Sequence, residues 1–235
     1  MAGAQDGCCP IGATAASDGD CSPIERAPRT CLEIAQSRAK APSGLYEIDF
    51  EGKPWVVYCD LRSQGTDRDG RGWTRVFRHV LPKTKEGACT DRVQAYFDDD
   101  KEAQEAHRKD PFAPKYSVLS SLEHFRRGER LEFRLVWPGL PRRNVWSQLS
   151  NPTRLENVNG YKPIAIEAQS NAWGGLERST VGGGGESSFI DGSVKSPLFF
   201  YAVGAKRPWS GSLSGTGFPS WEGLEGACEV ELWVR

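Results

Sequence analysis

The chain has 235 residues and a formal net charge of −1, which is long enough to bury a core of its own and offers no field for nucleic acid or a basic partner. Glycine (26) and tryptophan (8) are both abundant, a balance that suits a loop-rich fold anchored by aromatic rings better than a helical bundle. No apolar run approaches the roughly 20 residues that span a bilayer. The first ten residues also lack the basic-then-apolar order of a signal peptide, which reads as a recut start or a piece of a longer secreted chain.

Residues 1–27 are rich in Gly, Ala, Ser and Asp, with sparse apolar positions, and read as a cysteine-containing linker or N-terminal arm. The seven cysteines are Cys8, Cys9, Cys21, Cys31, Cys59, Cys89 and Cys228. None forms Cys-x-x-Cys, and His79, His107 and His124 are scattered, so disulfides in an oxidising compartment are expected, with no bound metal and no cofactor. Cys8 or Cys9 pairing with Cys21 closes a loop of about a dozen residues, worth roughly 2–3 kcal/mol. The odd count leaves one thiol for a bridge to another chain through Cys8 or Cys9. Asp18 and Asp20 read as solvated.

Thr30-Cys-Leu-Glu33 has the pattern of a capping box and predicts a helix running to about Ala39, stopped before Pro42. Residues 41–50 predict a strand entered through a turn, Glu51-Gly-Lys-Pro54 a turn, and Trp55–Cys59 a second strand. Trp73–Val80 predicts a third. Asp98–Arg108 is charged throughout, acidic at its start and basic at its end, and predicts a surface helix. Its Asp98-Asp99-Asp100 run reads as a capped helix start rather than a metal site. Ser117–Arg127 predicts a helix with Val118, Leu119, Leu122 and Phe125 on one face and His124 at its boundary. Leu131–Trp137 alternates as a half-buried strand. At the end of the chain Cys228, Val230, Leu232 and Val234 share one strand face, with Glu229, Glu231 and Trp233 on the other, so Cys228 points inward.

The order Cys31, short helix, Ser43-Gly-Leu-Tyr46, Tyr58-Cys-Asp60 and Gly72-Trp-Thr74 resembles the start of fibrinogen-related domains, in the branch named for its YCD…GGGW signature. Here the glycine turn reads Asp69-Gly-Arg-Gly72, with one glycine replaced and Ser63–Arg68 inserted. The likeness resumes at Phe133–Pro138, Asn144–Gln148, Ser150-Asn-Pro152, Val158–Tyr161, Trp173–Glu177, Phe189–Ser193, Phe199–Gly204 and Glu229–Arg235. It therefore covers residues 28–235. It implies an α+β, fibrinogen C-terminal-like fold: a twisted, mainly antiparallel sheet, short flanking helices and a loop-rich C-terminal half. It also implies a Cys31–Cys59 bridge, which leaves Cys89 as the free partner of Cys228 within the domain.

No nucleophile elbow, phosphate loop or singled-out carboxylate pair appears, so the chain does not read as an enzyme; a hydrolase is the weaker alternative. The glycine-rich Val181–Glu186 stretch reads as a surface hairpin. In animal relatives calcium is held through an Asp-x-Asp pattern before a close cysteine pair; residues 191–228 contain only Asp191 and Cys228, so that site does not carry over. Asp67-Arg-Asp69 has the shape but lies in the inserted turn. The expected function is an extracellular recognition and adhesion module, lectin-like, binding a glycan or an extracellular protein. The alternative is a structural interaction subunit of a larger extracellular assembly. The expected ligand-binding residues are Trp209, Ser210, Ser212, Trp221 and Tyr201, aromatic faces and hydroxyls on glycine-rich loops. Trp173 and Trp233 are assigned to the core.

Overall fold

The computed structural model describes residues 13–15, 21–23, 26–62, 70–87, 89, 93–138, 142–168, 173–181, 188–192, 202–207 and 228–235. In the N-terminal arm, β1 (Ala13–Ala15) and β2 (Cys21–Pro23) form a two-stranded antiparallel sheet. Helix α1 (Cys31–Ser37) starts at Thr30, whose hydroxyl accepts from Glu33 N at 3.2 Å. Glu33 in turn accepts from Arg29 N at 2.7 Å, so the reciprocal cap reaches one residue further back than a standard capping box. The helix stops short of Ala39 because Arg38 leaves helical geometry at φ −127° and ψ 80°.

Strands β3 (Gly44–Phe50) and β4 (Lys53–Asp60) form a hairpin with a two-residue turn. Glu51 and Gly52 sit at φ 52° and 79°, the mirror-image turn whose twist matches the flanking strands. This register lengthens β4 to start at Lys53, opposite Phe50. Strand β5 (Trp73–Val80) follows as expected.

Two predicted helices are corrected. Asp98–Arg108 is not one helix: α2 covers only Asp100–Gln104 and gives way to β6 (Glu105–Ala106), paired with β7 (Lys115–Val118). The Ala103 carbonyl, which a longer helix would bond internally, instead accepts from the Ser117 hydroxyl at 2.6 Å. Nor is the segment wholly on the surface, since Ala103 and Ala106 are buried. Asp99 is the cap, accepting from Glu102 N at 2.8 Å. Ser117–Arg127 is likewise not an α-helix. Its first residues belong to β7, and Leu119–Phe125 is a 3-10 helix. The apolar face of Val118, Leu119, Leu122 and Phe125 is nonetheless buried as predicted.

Strands β8 (Leu131–Val136), β9 (Arg143–Gln148) and β10 (Lys162–Ile166) continue the chain. Then β11 (Glu177–Arg178), β12 (Ser188–Asp191) and β13 (Ala202–Ala205) form a three-stranded antiparallel sheet, and β14 (Glu229–Val234) returns to the centre. The main sheet runs β10-β9-β8-β14-β5-β4-β3, with β7 also on β5 and β6 on β7. Every pairing among the described strands is antiparallel. The fold is thus α+β, a mainly antiparallel sheet with short helices.

Disulfides tie the ends of this framework. Cys31–Cys59 pins α1 to β4, and Cys89–Cys228 joins the segment after β5 to the residue before β14. Cys8 and Cys9 lie outside the described residues, and so does the expected pairing of one of them with Cys21.

The motif residues have structural work on both faces of the sheet. Cys228, Val230, Leu232 and Val234 belong to the main core, as their alternation requires. The opposite face of β14 is not solvent, however: Trp233 packs with Trp73 and Val145 in a second cluster, and Glu231 is buried beside it. Guanidinium–ring contacts extend that cluster, with Arg235 over Trp73 at 4.5 Å. Arg75 lies 4.6 Å from Tyr58 and 4.8 Å from Trp233, and Arg134 lies 4.8 Å from Trp233 and 5.0 Å from Trp73. Asp60 binds Arg134 at 2.7 Å. Gly72, at φ 88°, lies so close to α1 that a Cβ would come within 2.6 Å of Leu32 Cα.

Candidate functional site: an aromatic pocket beneath the first hairpin

The β3–β4 turn sets Phe50 opposite Lys53, and the two-residue period of a strand puts Trp55 on the same face as Lys53. The Phe50 and Trp55 rings meet edge to face, centroids 4.9 Å apart. His124 lies 4.8 Å from Phe50, and Phe125 backs Trp55 at 6.0 Å. The His124 ring is held by a 2.8 Å bond between Nε2 and the Arg29 carbonyl, so it is a boundary residue, as expected.

The other wall arrives from β6. After Ala106 the chain turns through His107 in the left-handed region (φ 46°), and Arg108 follows. Its guanidinium sits 5.0 Å over Phe50 and 4.7 Å over Trp55, and is oriented by Glu105 at 2.9 Å. Pro54 and Val56 complete an opening of about 540 Å³, within the size range of small-ligand sites. Lys53 and Lys109 stand at its rim, both exposed, and no described acidic group pairs with either. The Trp55 indole N–H is buried without an acceptor among the described residues.

A second constellation lies in the three-stranded sheet. Glu177 and Asp191 are cross-strand partners, 6% and 2% exposed. Burial raises the Asp191 carboxyl to about 7, and the Glu177 charge adds to this; burial raises Glu177 as well. Such burial closes the pair to a sugar-sized substrate. Gln148 holds the neighbouring turn: it accepts from Trp146 Nε1 at 2.9 Å and from Leu176 N at 3.1 Å, and donates to the Leu176 carbonyl at 2.9 Å. Asp100 of the acidic run joins α2 to this sheet through Arg178 and Lys206. Burial opposes its ionisation, but those two cations hold its carboxyl below the usual range.

Trp173 and Trp233 are core residues, 1% and 4% exposed. The expected ligand residues Trp209, Ser210, Ser212, Trp221 and Tyr201 lie outside the described residues, as do Asp67, Asp69 and the Gly182–Gly185 run. Among the described residues no group of three or more His, Cys, Asp or Glu is placed to hold a metal ion, and no helix is long and apolar enough to cross a membrane. Sequence reasoning passed over Phe50, Lys53, Trp55, Arg108 and Lys109. Phe50 and Trp55 bracketing a tight turn were a visible signal; Arg108 carried none, because it reaches them only through the β6–β7 pairing.

The fold is similar to solved fibrinogen-like domains. The fibrinogen-like globe domain of human ANGPTL2 matches over 88% of this chain and 98% of its own, at 13% identity and a TM-score of 0.44. That of human ANGPTL6 matches over 88% and 95%, at 16% identity and a TM-score of 0.41. No family model and no curated protein matches the sequence.

Proposed function

We infer that the chain is an extracellular recognition and adhesion module for a glycan or a surface protein, and not an enzyme. The carrying observation is the hairpin pocket: aromatic rings and an oriented guanidinium around an opening of about 540 Å³, with two exposed lysines at its rim. These are groups that bind rather than transform. The buried carboxylate pair gives a substrate no access. Two disulfides suit an oxidising, extracellular setting. On this reading residues 28–235 are the binding domain and 1–27 its tether, with Cys8 or Cys9 free to bridge another chain. The Trp209–Trp221 loops, with Tyr201, form a second contact surface.

One observation favours the alternative, an interaction subunit of a larger assembly. Leu45 (53% exposed) and Val56 (41%, also at the pocket's rim) share the strand face of Tyr58, whose ring meets the 50%-exposed Phe112 at 5.2 Å. Such a patch suits a protein partner.

Immobilised full chain, presented with a glycan array and with labelled cell-surface proteins, tests the reading. Saturable binding to either, at a Kd of about 1 mM or tighter, is expected. No saturable binding to both sets would overturn it.

A further inference from the structure

We propose that the hairpin pocket takes an anionic sugar unit, one bearing a carboxylate or a sulfate. The anionic group is turned toward Lys53, Arg108 and Lys109, and the sugar ring lies against Pro54 and the half-buried edge of Phe50, Trp55 being 7% exposed beneath Arg108. This deepens the recognition-module reading and rests on it.

Three features select the ligand. The first is the pairing of rings with cations. Phe50 and Pro54 offer an apolar edge to the C–H face of a pyranose, and a planar guanidinium suits a two-oxygen anion. Arg108 is already oriented by the two rings and by Glu105, yet its side chain remains 34% exposed, so N–H groups still face water. The second is unbalanced charge. Around the opening Lys53, Arg108 and Lys109 face one lining carboxylate, Glu51; Glu105 is paired with Arg108, Asp49 is turned to the Gly52 N–H at 2.7 Å, and neither lysine has a described acidic partner. The third excludes an added peptide strand. Strand β3 is the edge of the sheet, but its Asp49 N–H already donates to the Pro28 carbonyl at 2.8 Å, interrupting the backbone row beside the pocket. A compact occupant held by side chains remains.

The test titrates full chain with four probes of similar length: an oligouronate, a sulfated oligosaccharide, a neutral oligosaccharide and polyglutamate. The same titrations are made on Lys53→Glu/Lys109→Glu and on Arg108→Gln. The double variant changes only exposed side chains and is expected to keep the parent melting temperature. The proposal expects one of the two anionic saccharides to bind at least tenfold more tightly than both the neutral one and polyglutamate. That preference should fall at least tenfold in the double variant and weaken with added salt. Preference for the uronate identifies a carboxylate, and preference for the sulfated probe a sulfate ester. Equal binding of the neutral probe, binding of polyglutamate as tight as that of the best saccharide, or anionic binding unchanged in the double variant would each overturn it. If all four probes fail while the array or surface proteins still bind, this proposal falls and the recognition reading stands.

Discussion

Glu177 and Asp191 face each other across β11 and β12, two carboxylates in register within a nearly dry part of the sheet. The Asp191 carboxyl is raised to about 7, first by burial and then by the Glu177 charge, so the folded state holds a proton that the unfolded chain releases near 4. The folded state therefore binds more protons between those values, and this pair's contribution to stability falls as pH rises from about 4 through 7. A shift of that size corresponds to at most about 4 kcal/mol. Asp191→Asn is expected to raise the urea midpoint at pH 8 above that of the parent.

His79 works in the opposite direction over the same range. It is fully buried, its Nε2 lies 2.7 Å from the Ala95 carbonyl, and burial lowers it to about 4. A carbonyl oxygen only accepts, so Nε2 carries the proton of a neutral ring. The unfolded chain protonates first, near 6.5, so stability is lost as pH falls from there toward 4, by up to about 3 kcal/mol. In the parent the two groups partly offset each other. Asp191→Asn is thus expected to be visibly more acid-sensitive than the parent between pH 6.5 and 4 in urea melts; an unchanged slope would refute the assignment.

The bridges differ in the loop they close. Cys31–Cys59 spans 28 positions and Cys89–Cys228 spans 139. Chain entropy assigns them about 3.6 and 5 kcal/mol. Cys89→Ser/Cys228→Ser is expected to lower stability more than Cys31→Ser/Cys59→Ser, measured by denaturant unfolding of each double variant.

Arg75 pairs with Glu231 at 2.9 Å, with side chains 9% and 8% exposed, and donates to the Pro111 carbonyl at 2.9 Å. Arg75→Ala leaves the buried Glu231 only the longer Arg78 contact at 3.6 Å and the Trp233 indole at 3.1 Å, and it empties the space between Tyr58 and Trp233, an expected loss of up to about 3–5 kcal/mol. Arg75→Met/Glu231→Gln removes both charges and is expected to recover part of it. A double-mutant cycle on the two positions measures the coupling.

Legibility followed the range of each signal. The Thr30 cap, the strand at Trp73–Val80 and the inward face of β14 have causes within a few neighbouring residues and were read correctly, while the expected Glu51–Pro54 turn is shortened to Glu51-Gly52 because Lys53 and Pro54 pair in β4. The helices of 98–108 and 117–127 were misread because both have a genuine helical pattern that a remote partner overrides: Ser117 takes the Ala103 carbonyl, and β7 pairs with both β5 and β6. The hairpin pocket was half legible, since Phe50 and Trp55 flank one turn while Arg108 comes from a different part of the chain.

By itself the sequence determined the elements with local causes and the resemblance carried by Tyr58-Cys-Asp60 and Gly72-Trp73. Apart from Cys59, it could not say what those residues do. Beyond the Cys31–Cys59 bridge that the resemblance implied, only the tertiary structure decided that Tyr58 faces Arg75, that Asp60 holds Arg134, and that Gly72 makes room for Leu32. It also decided that the second face of β14 is filled by tryptophan and arginine instead of water. The reason is physical: a strand's period specifies which residues share a face, but whether that face is wet depends on elements brought against it from far along the chain.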